Sequence, residues 1–356
     1  MTTTLPKKSL GQVRRAAVNL SHFNPVQETT LGMGKDLPLI LTPATDGVDL
    51  AEWVRANKAE LHQKLFKHGG FLYRGFNLRT AEDFERVVAA FCDQVYGEYG
   101  DLPREKGIPS RVYHSTWYPN DKSILFHQEM SHFTTFARKI NFFSVIVAKQ
   151  GGCSPIVDCR LVYQALDPKI RQMFEEKGLT YVRNFSPGID VPWQTFFRTE
   201  EKAKVEEHCR KNRIDFEWTH CGEWLRLKQH VRAVATHYAT GEKIFFNQVQ
   251  LHHIFCLDED TRSSLLSILD EEDFPRSVYF GDGSQIPDSF MEHIGETYEK
   301  FAVRFQWQPY DMVTLDNMSC AHARDPFEGD RKILVALGDV ISDLELDRIN
   351  REREQA

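Results

Sequence analysis

Short apolar runs of strand length recur along almost the whole chain, bounded by Gly, Pro and Asp and separated by segments of helical period. Leu37–Leu41, Phe71–Phe76, Ile140–Ala148, Thr180–Phe185, Ile214–Trp218, Trp224–Leu227, Val231–Tyr238, Ile244–Phe246, Phe301–Gln306, Asp311–Leu315 and Lys332–Leu337 all read as strands. Between them, Asp49 caps a helical run to Lys67 that Gly69-Gly70 stops, Thr80 opens a second run ending near Val95, and Leu161–Phe174 has helical period. Tyr96 to Lys122 is rich in Gly, Pro, Tyr and Asp and reads as a long loop, a class that is usually functional. Many short strands with helices inserted among them predict a mainly β, α+β architecture, a double-sheet jelly roll of the cupin kind. With no internal repeat or low-complexity linker, the expectation is one jelly-roll domain over 36–345. It carries helical insertions at about 199–212 and 259–300, follows a polar arm at 1–35, and precedes a tail at 346–356.

Composition narrows the function classes. The formal net charge of -7 argues against a general nucleic-acid binder, which needs a concentrated basic surface. No run approaches the ~18 apolar residues of a membrane span, and no apolar run follows Lys7-Lys8, so the expected setting is cytoplasmic. The 7 cysteines are scattered without a C-x-x-C pair, which fits reduced thiols and supplies no zinc-finger framework. The oligomeric state is not legible.

The stretch with chemical content is Phe126-His127-Gln128-Glu129-Met130-Ser131-His132-Phe133. In an extended chain His127 and Glu129 point to the same side and Gln128 to the other. A histidine and a carboxylate on one face suit a divalent first-row metal, and one more distant histidine would complete a facial triad with open coordination positions. The triplet alone is weak, because H-x-E arises by chance in a chain with 14 His.

Further along stands Asp316-Asn317-Met318-Ser319-Cys320-Ala321-His322-Ala323-Arg324-Asp325-Pro326-Phe327-Glu328-Gly329-Asp330-Arg331. Together with His127-Gln128-Glu129-Met130-Ser131, Gly151-Gly152-Cys153-Ser154-Pro155 through Asp158-Cys159-Arg160, and Thr240-Gly241-Glu242 with Phe246-Asn247-Gln248, it resembles the taurine dioxygenase and clavaminate synthase superfamily. Within that superfamily, the nearest resemblance is to the branch containing the syringomycin-biosynthesis aspartyl hydroxylase. The resemblance implies a distorted jelly roll that uses iron(II), 2-oxoglutarate and O2. It makes His127, Glu129 and His322 the metal ligands and catalytic centre, and Arg331 the clamp for the distal carboxylate of 2-oxoglutarate, a role suited to a planar guanidinium fork. Ser154 stands where the family has threonine, keeping the hydroxyl but losing the methyl that restrains its rotamer. Related halogenases have a small residue in place of the acidic ligand, so Glu129 favours oxygenation.

The implied reaction is oxidation, most simply hydroxylation, of an aliphatic carbon in an amino acid or an amino-acid unit of a secondary metabolite. Desaturation, cyclisation and oxidative rearrangement use the same cofactors, and a carrier-protein-tethered substrate is open for this branch. A metal-binding sensor without turnover is the rival from another class, and retention of Arg331 argues against it. Gln128, His132 and Arg324 are candidate substrate contacts; for Arg324 the alternative is pinning its strand through Asp325 or Glu328. His252-His253, read as strand neighbours, face opposite ways, which favours a structural role. His237 reads as a hydrogen-bonded framework residue, and Asp316 and Asn317 as outer-shell or turn residues.

Overall fold

The structure, a computed structural model, describes residues 24–32, 36–97, 111–115 and 118–355. Its centre is an eight-stranded sheet whose two longest strands, Thr135–Ile146 and Lys332–Ser342, pair antiparallel over most of their length. Both carry β-branched residues, and the first adds Phe136, Phe142 and Phe143, which fit a pleated surface buried on both sides. The alternation of side chains sorts them between two cores: Ile333, Val335 and Leu337 enter one, Leu334 and Ala336 the other. Outward from this pair run Met312–Asp316, Gly70–Tyr73, Leu39–Pro43 and Val26–Thr29 on one side, with Val95–Tyr96 and Tyr113–His114 on the other.

Helices Leu50–Ala56, Lys58–His68 and Ala81–Phe91 supply Leu50, Leu61, Leu65, Phe84 and Val88 to the core on one face. The sequence predicted one helix to Lys67; the chain breaks it at Asn57, whose backbone leaves helical geometry and whose side chain caps Trp53 O at 2.8 Å. Asp49 caps as expected, Gly69 ends the second helix in the left-handed region, and Thr80 with Asp83 forms a reciprocal capping box. Leu161–Phe174 likewise divides into Cys159–Ala165 and Pro168–Lys177, because Pro168 is tolerated only in a first turn.

Against the other face lie a three-stranded sheet (Ile124–His127, Cys320–Arg324, Ile156–Asp158) and a four-stranded sheet (Asp215–Thr219, Trp224–Val231, Leu179–Phe185, Arg276–Phe280). The mixed α+β jelly roll is therefore present. Phe301–Gln306 is not a strand: among the described residues its one β contact is the isolated bridge of Val303 to Ile156. Of the expected arm, residues 1–23 and 33–35 lie outside the described residues, and Val26–Thr29 is an edge strand paired with Leu39–Pro43. The expected tail forms the end of a helix, Asp343–Glu354, capped by Ser342. Residues 98–110 and 116–117 of the expected long loop also lie outside the described residues. Among the described residues no helix is long and apolar enough to cross a membrane.

One buried ion pair ties the central strands together. Lys139 Nζ meets the Asp339 carboxylate, both 3% exposed, and Asp339 also accepts the amides of Asp93 at 2.8 Å and Gln94 at 2.9 Å. Asp339→Ala strands the ammonium, so urea denaturation should show a loss of about 3–5 kcal/mol. A loss below about 1 kcal/mol would mean that the pair contributes nothing.

Candidate metal centre and cavity

The three-stranded sheet places His322 directly across from His127 in antiparallel register. Their ring centroids are 4.2 Å apart and the planes 50° inclined. His127 Nδ1 lies 2.8 Å from the Leu125 carbonyl oxygen; a carbonyl only accepts, so Nδ1 carries the proton and Nε2 keeps its lone pair. That Nε2 is 4.0 Å from the Glu129 carboxylate, and one donor atom from each of His127, Glu129 and His322 falls within 4.8 Å of the others. Ligands about 2.1 Å from a first-row ion in a facial set stand about 3 Å apart, so these three can close round one by side-chain adjustment alone. All three are buried, and the histidine–carboxylate donor set fits iron(II).

Glu129 is not held by strand geometry. The strand ends at His127, and Glu129 lies in the turn that follows, next to Met130 at φ 64. Asn317 fixes it instead: its Oδ1 accepts the Glu129 amide at 2.8 Å, while Nδ2 donates to the Glu129 carbonyl at 2.9 Å and the Ala137 carbonyl at 2.7 Å. The neighbouring Asp316 accepts the Met318 amide at 3.0 Å and faces His237 Nε2 at 2.8 Å. Burial pushes the Asp316 carboxyl up, but His237 and the turn amides outweigh it and hold it below the ordinary carboxylate range. His237 and Asp316 are thus framework, as the sequence suggested.

Gln128, expected among the substrate contacts, is a strut. It is 0% exposed, donates to the Phe245 carbonyl at 2.8 Å and accepts the Asn247 amide at 3.1 Å, so its carboxamide is consumed inside the core. His132 packs among Phe133, Tyr181 and His252, away from the cavity wall. His252 closes a short helix, Val249–His252, and is no strand neighbour of His253; both are buried away from the ligand set.

A cavity of about 460 Å³ opens over the ligands and reaches Arg331 and Ser154. The Gly151-Gly152 turn makes room for the guanidinium. Both glycines have φ near +70°, and a Cβ on Gly152 would stand 2.9 Å from Ala148 Cβ and 3.3 Å from Arg331 Cδ. Arg331 Nε donates to the Gly152 carbonyl at 3.2 Å, and Nη2 to Ser154 Oγ at 3.1 Å. Ser154 Oγ also accepts Trp307 Nε1 at 3.1 Å, which leaves its own O–H for a further acceptor. Trp307 carried no sequence signal, since only the fold brings it to Ser154. Among the described residues no carboxylate pairs with Arg331. Partial burial, then the nearby Arg324, pushes its guanidinium down to about 10. Carboxylate-bearing 2-oxoglutarate fits that vacancy of charge.

Arg324 pins neither Asp325 nor Glu328. Its guanidinium donates to the carbonyls of Tyr118, Pro119 and Lys122, fastening that rim segment, while it also lines the cavity. Asp325 pairs with Arg304 at 3.1 Å.

Replacing Asn317 by Ala frees the Glu129 turn while leaving all three donor side chains in place. Calorimetric titration with Mn(II) should show roughly 10- to 100-fold weaker binding. Affinity within twofold of the unsubstituted protein would show that the bracket does not position Glu129.

Residues 34–337 match the model of the taurine catabolism dioxygenase TauD, TfdA family. The dapdiamide synthesis protein DdaC of Enterobacter agglomerans is 33% identical over 302 residues, 85% of this chain and 91% of that protein. A clavaminate synthase-like protein of Arabidopsis thaliana is 28% identical over 88% of this chain and 97% of its own length. Among solved structures, a taurine dioxygenase from Burkholderia xenovorans superposes with a TM-score of 0.53 at 17% identity, covering 90% of this chain and 93% of that one, a likeness of fold. The chain therefore belongs to the taurine catabolism dioxygenase TauD, TfdA family and is a non-haem iron(II)- and 2-oxoglutarate-dependent dioxygenase.

Proposed function

We propose that this enzyme hydroxylates an aliphatic carbon of an amino acid or an amino-acid-derived intermediate of secondary metabolism, with 36–345 as its catalytic unit. His127, Glu129 and His322 hold the iron(II), and Arg331 with Ser154 holds the distal carboxylate of 2-oxoglutarate. The observation that carries the reading is the partly buried Arg331 cation, without a carboxylate partner among the described residues, in the same cavity as the three-ligand set. With 2-oxoglutarate and O2, the bound iron supplies an oxidant strong enough to take hydrogen from an unactivated carbon.

The chain's own groups do the rest. The Leu125 carbonyl keeps the His127 proton on Nδ1, so that the Nε2 lone pair is the one offered to a metal. Glu129 fills the position a halide would need, which favours oxygen insertion. The Arg331 fork and the Ser154 hydroxyl orient one end of the co-substrate, and Phe142, Ile333 and Val335 give the cavity an apolar wall that excludes water. Similarity over most of the chain to a dapdiamide synthesis protein supports a biosynthetic small-molecule substrate.

Anaerobic loading with iron(II), then air, 2-oxoglutarate and an amino-acid panel should release succinate, and a chelator should stop it until iron is restored. No succinate, with or without amino acids, would overturn the reading. Glu129→Ala should abolish hydroxylated product; undiminished product would remove Glu129 from the ligand set. Arg331→Lys should raise the KM for 2-oxoglutarate roughly 10- to 100-fold, since one point charge replaces a two-pronged clamp, and an unchanged KM would place the co-substrate elsewhere.

A further inference from the structure

The four-stranded sheet carries three arginines within its strands: Arg183, Arg226 and Arg276. Two are neutralised, Arg183 by Asp190 at 3.2 Å and Arg226 by Asp273 at 2.8 Å. Arg276 is different. It is partly buried and lines the same cavity as His127, Glu129 and His322, and among the described residues no carboxylate pairs with it. The acids on that cavity wall do not serve it: Asp258 binds Lys122 at 3.1 Å and caps the helix Glu259–Ile268, and Asp121 is exposed at the rim. A partly buried cation on a cavity wall with no carboxylate of its own offers a charge-assisted contact to an anion that enters.

A second observation comes from the neighbouring element. The helix Val249–His252 packs on the strand Arg276–Phe280, and its Gln250 lines the same cavity. Gln250 is 7% exposed, and its Oε1 is buried without a hydrogen-bond donor. Buried carboxamide oxygens are ordinarily satisfied, so this acceptor is in want of a donor from a ligand.

We propose that Arg276 and Gln250 form the primary-substrate subsite and that its occupant is a free α-amino acid, its carboxylate on the Arg276 guanidinium and its ammonium donating to Gln250 Oε1. This rests on the oxygenase reading of the cavity and deepens it. The two substrates then have separate cations: Arg331, beside the Gly151-Gly152 turn, for 2-oxoglutarate, and Arg276, from the four-stranded sheet, for the amino acid. An α-carboxylate on Arg276 cannot at the same time be a carrier thioester, which is why the proposal is of a free acid.

The test uses the full chain and the proteinogenic L-amino acids, each as the free acid and as its α-carboxamide. Succinate release by the unsubstituted protein examines the oxygenase reading by itself. Calorimetric binding to protein holding Mn(II) and N-oxalylglycine examines the subsite without turnover. At least one free acid should bind and accelerate succinate release, with its carboxamide roughly 30-fold weaker. Arg276→Gln should raise the KM for that acid about 100-fold, far more than the KM for 2-oxoglutarate, and Arg276→Lys should recover part of the loss. Gln250→Leu should cost about tenfold in amino-acid affinity. The proposal fails if a carboxamide serves as well as its acid, if Arg276→Gln raises both KM values alike, or if no free acid binds.

Discussion

The antiparallel pairing of Cys320–Arg324 with Ile124–His127 sets His322 across from His127 and so decides where two imidazoles meet. Side chains alternate along a strand, so a slip of one residue would turn one ring to the opposite face and dissolve the site. The register is held from several directions. Ile156–Asp158 pairs with the other edge, Asp316 clasps the turn that precedes Cys320, and the Gln128 carboxamide bolts the end of the His127 strand to Phe245 and Asn247. The packing also excludes alternatives: a Cβ at Gly69 would stand 2.5 Å from Cys320 Sγ, so the helix ending there fits only a glycine.

Buried charge is used in two ways in this molecule. Lys139 and Asp339 satisfy each other between the central strands, and Asp316 is satisfied by His237 and by amides; these groups organise backbone. Arg331 is partly buried, yet among the described residues its direct contacts are neutral: a carbonyl, a serine hydroxyl and the Phe327 ring 5.6 Å away. Phe327 also stands 5.2 Å from Arg324, so one aromatic ring neighbours two guanidinium groups. A cation whose direct contacts are neutral and whose neighbour is a second cation gains when an anion enters, because the low dielectric that penalises it alone strengthens the pair.

Local rules accounted for much of the secondary structure. Caps at Asp49 and Thr80 and the stop at Gly69 could be placed because each acts within a few residues of itself. The misses share a cause. The breaks at Asn57 and Pro168 interrupt apolar patterns that run on across them, and Phe301–Gln306 is apolar enough for a strand but pairs only at Val303. Gln128 and His132 sit within the motif yet face the core, while Trp307 and Gln250 have no motif and reach the site.

The sequence by itself determined the chemistry on offer: two histidines and a glutamate able to ligate a first-row metal, an arginine near the end, and glycines where a backbone must turn sharply. These are properties of residue type and short spacing, and they survive in any conformation. Tertiary structure alone decided that His322 meets His127, that Asn317 and not strand geometry aims Glu129, and that among the described residues Arg331 has no carboxylate partner while Arg183 and Arg226 each have one. Those outcomes depend on which distant segments share a register and which charges are buried together, and pairing and desolvation exist only once the chain has closed on itself.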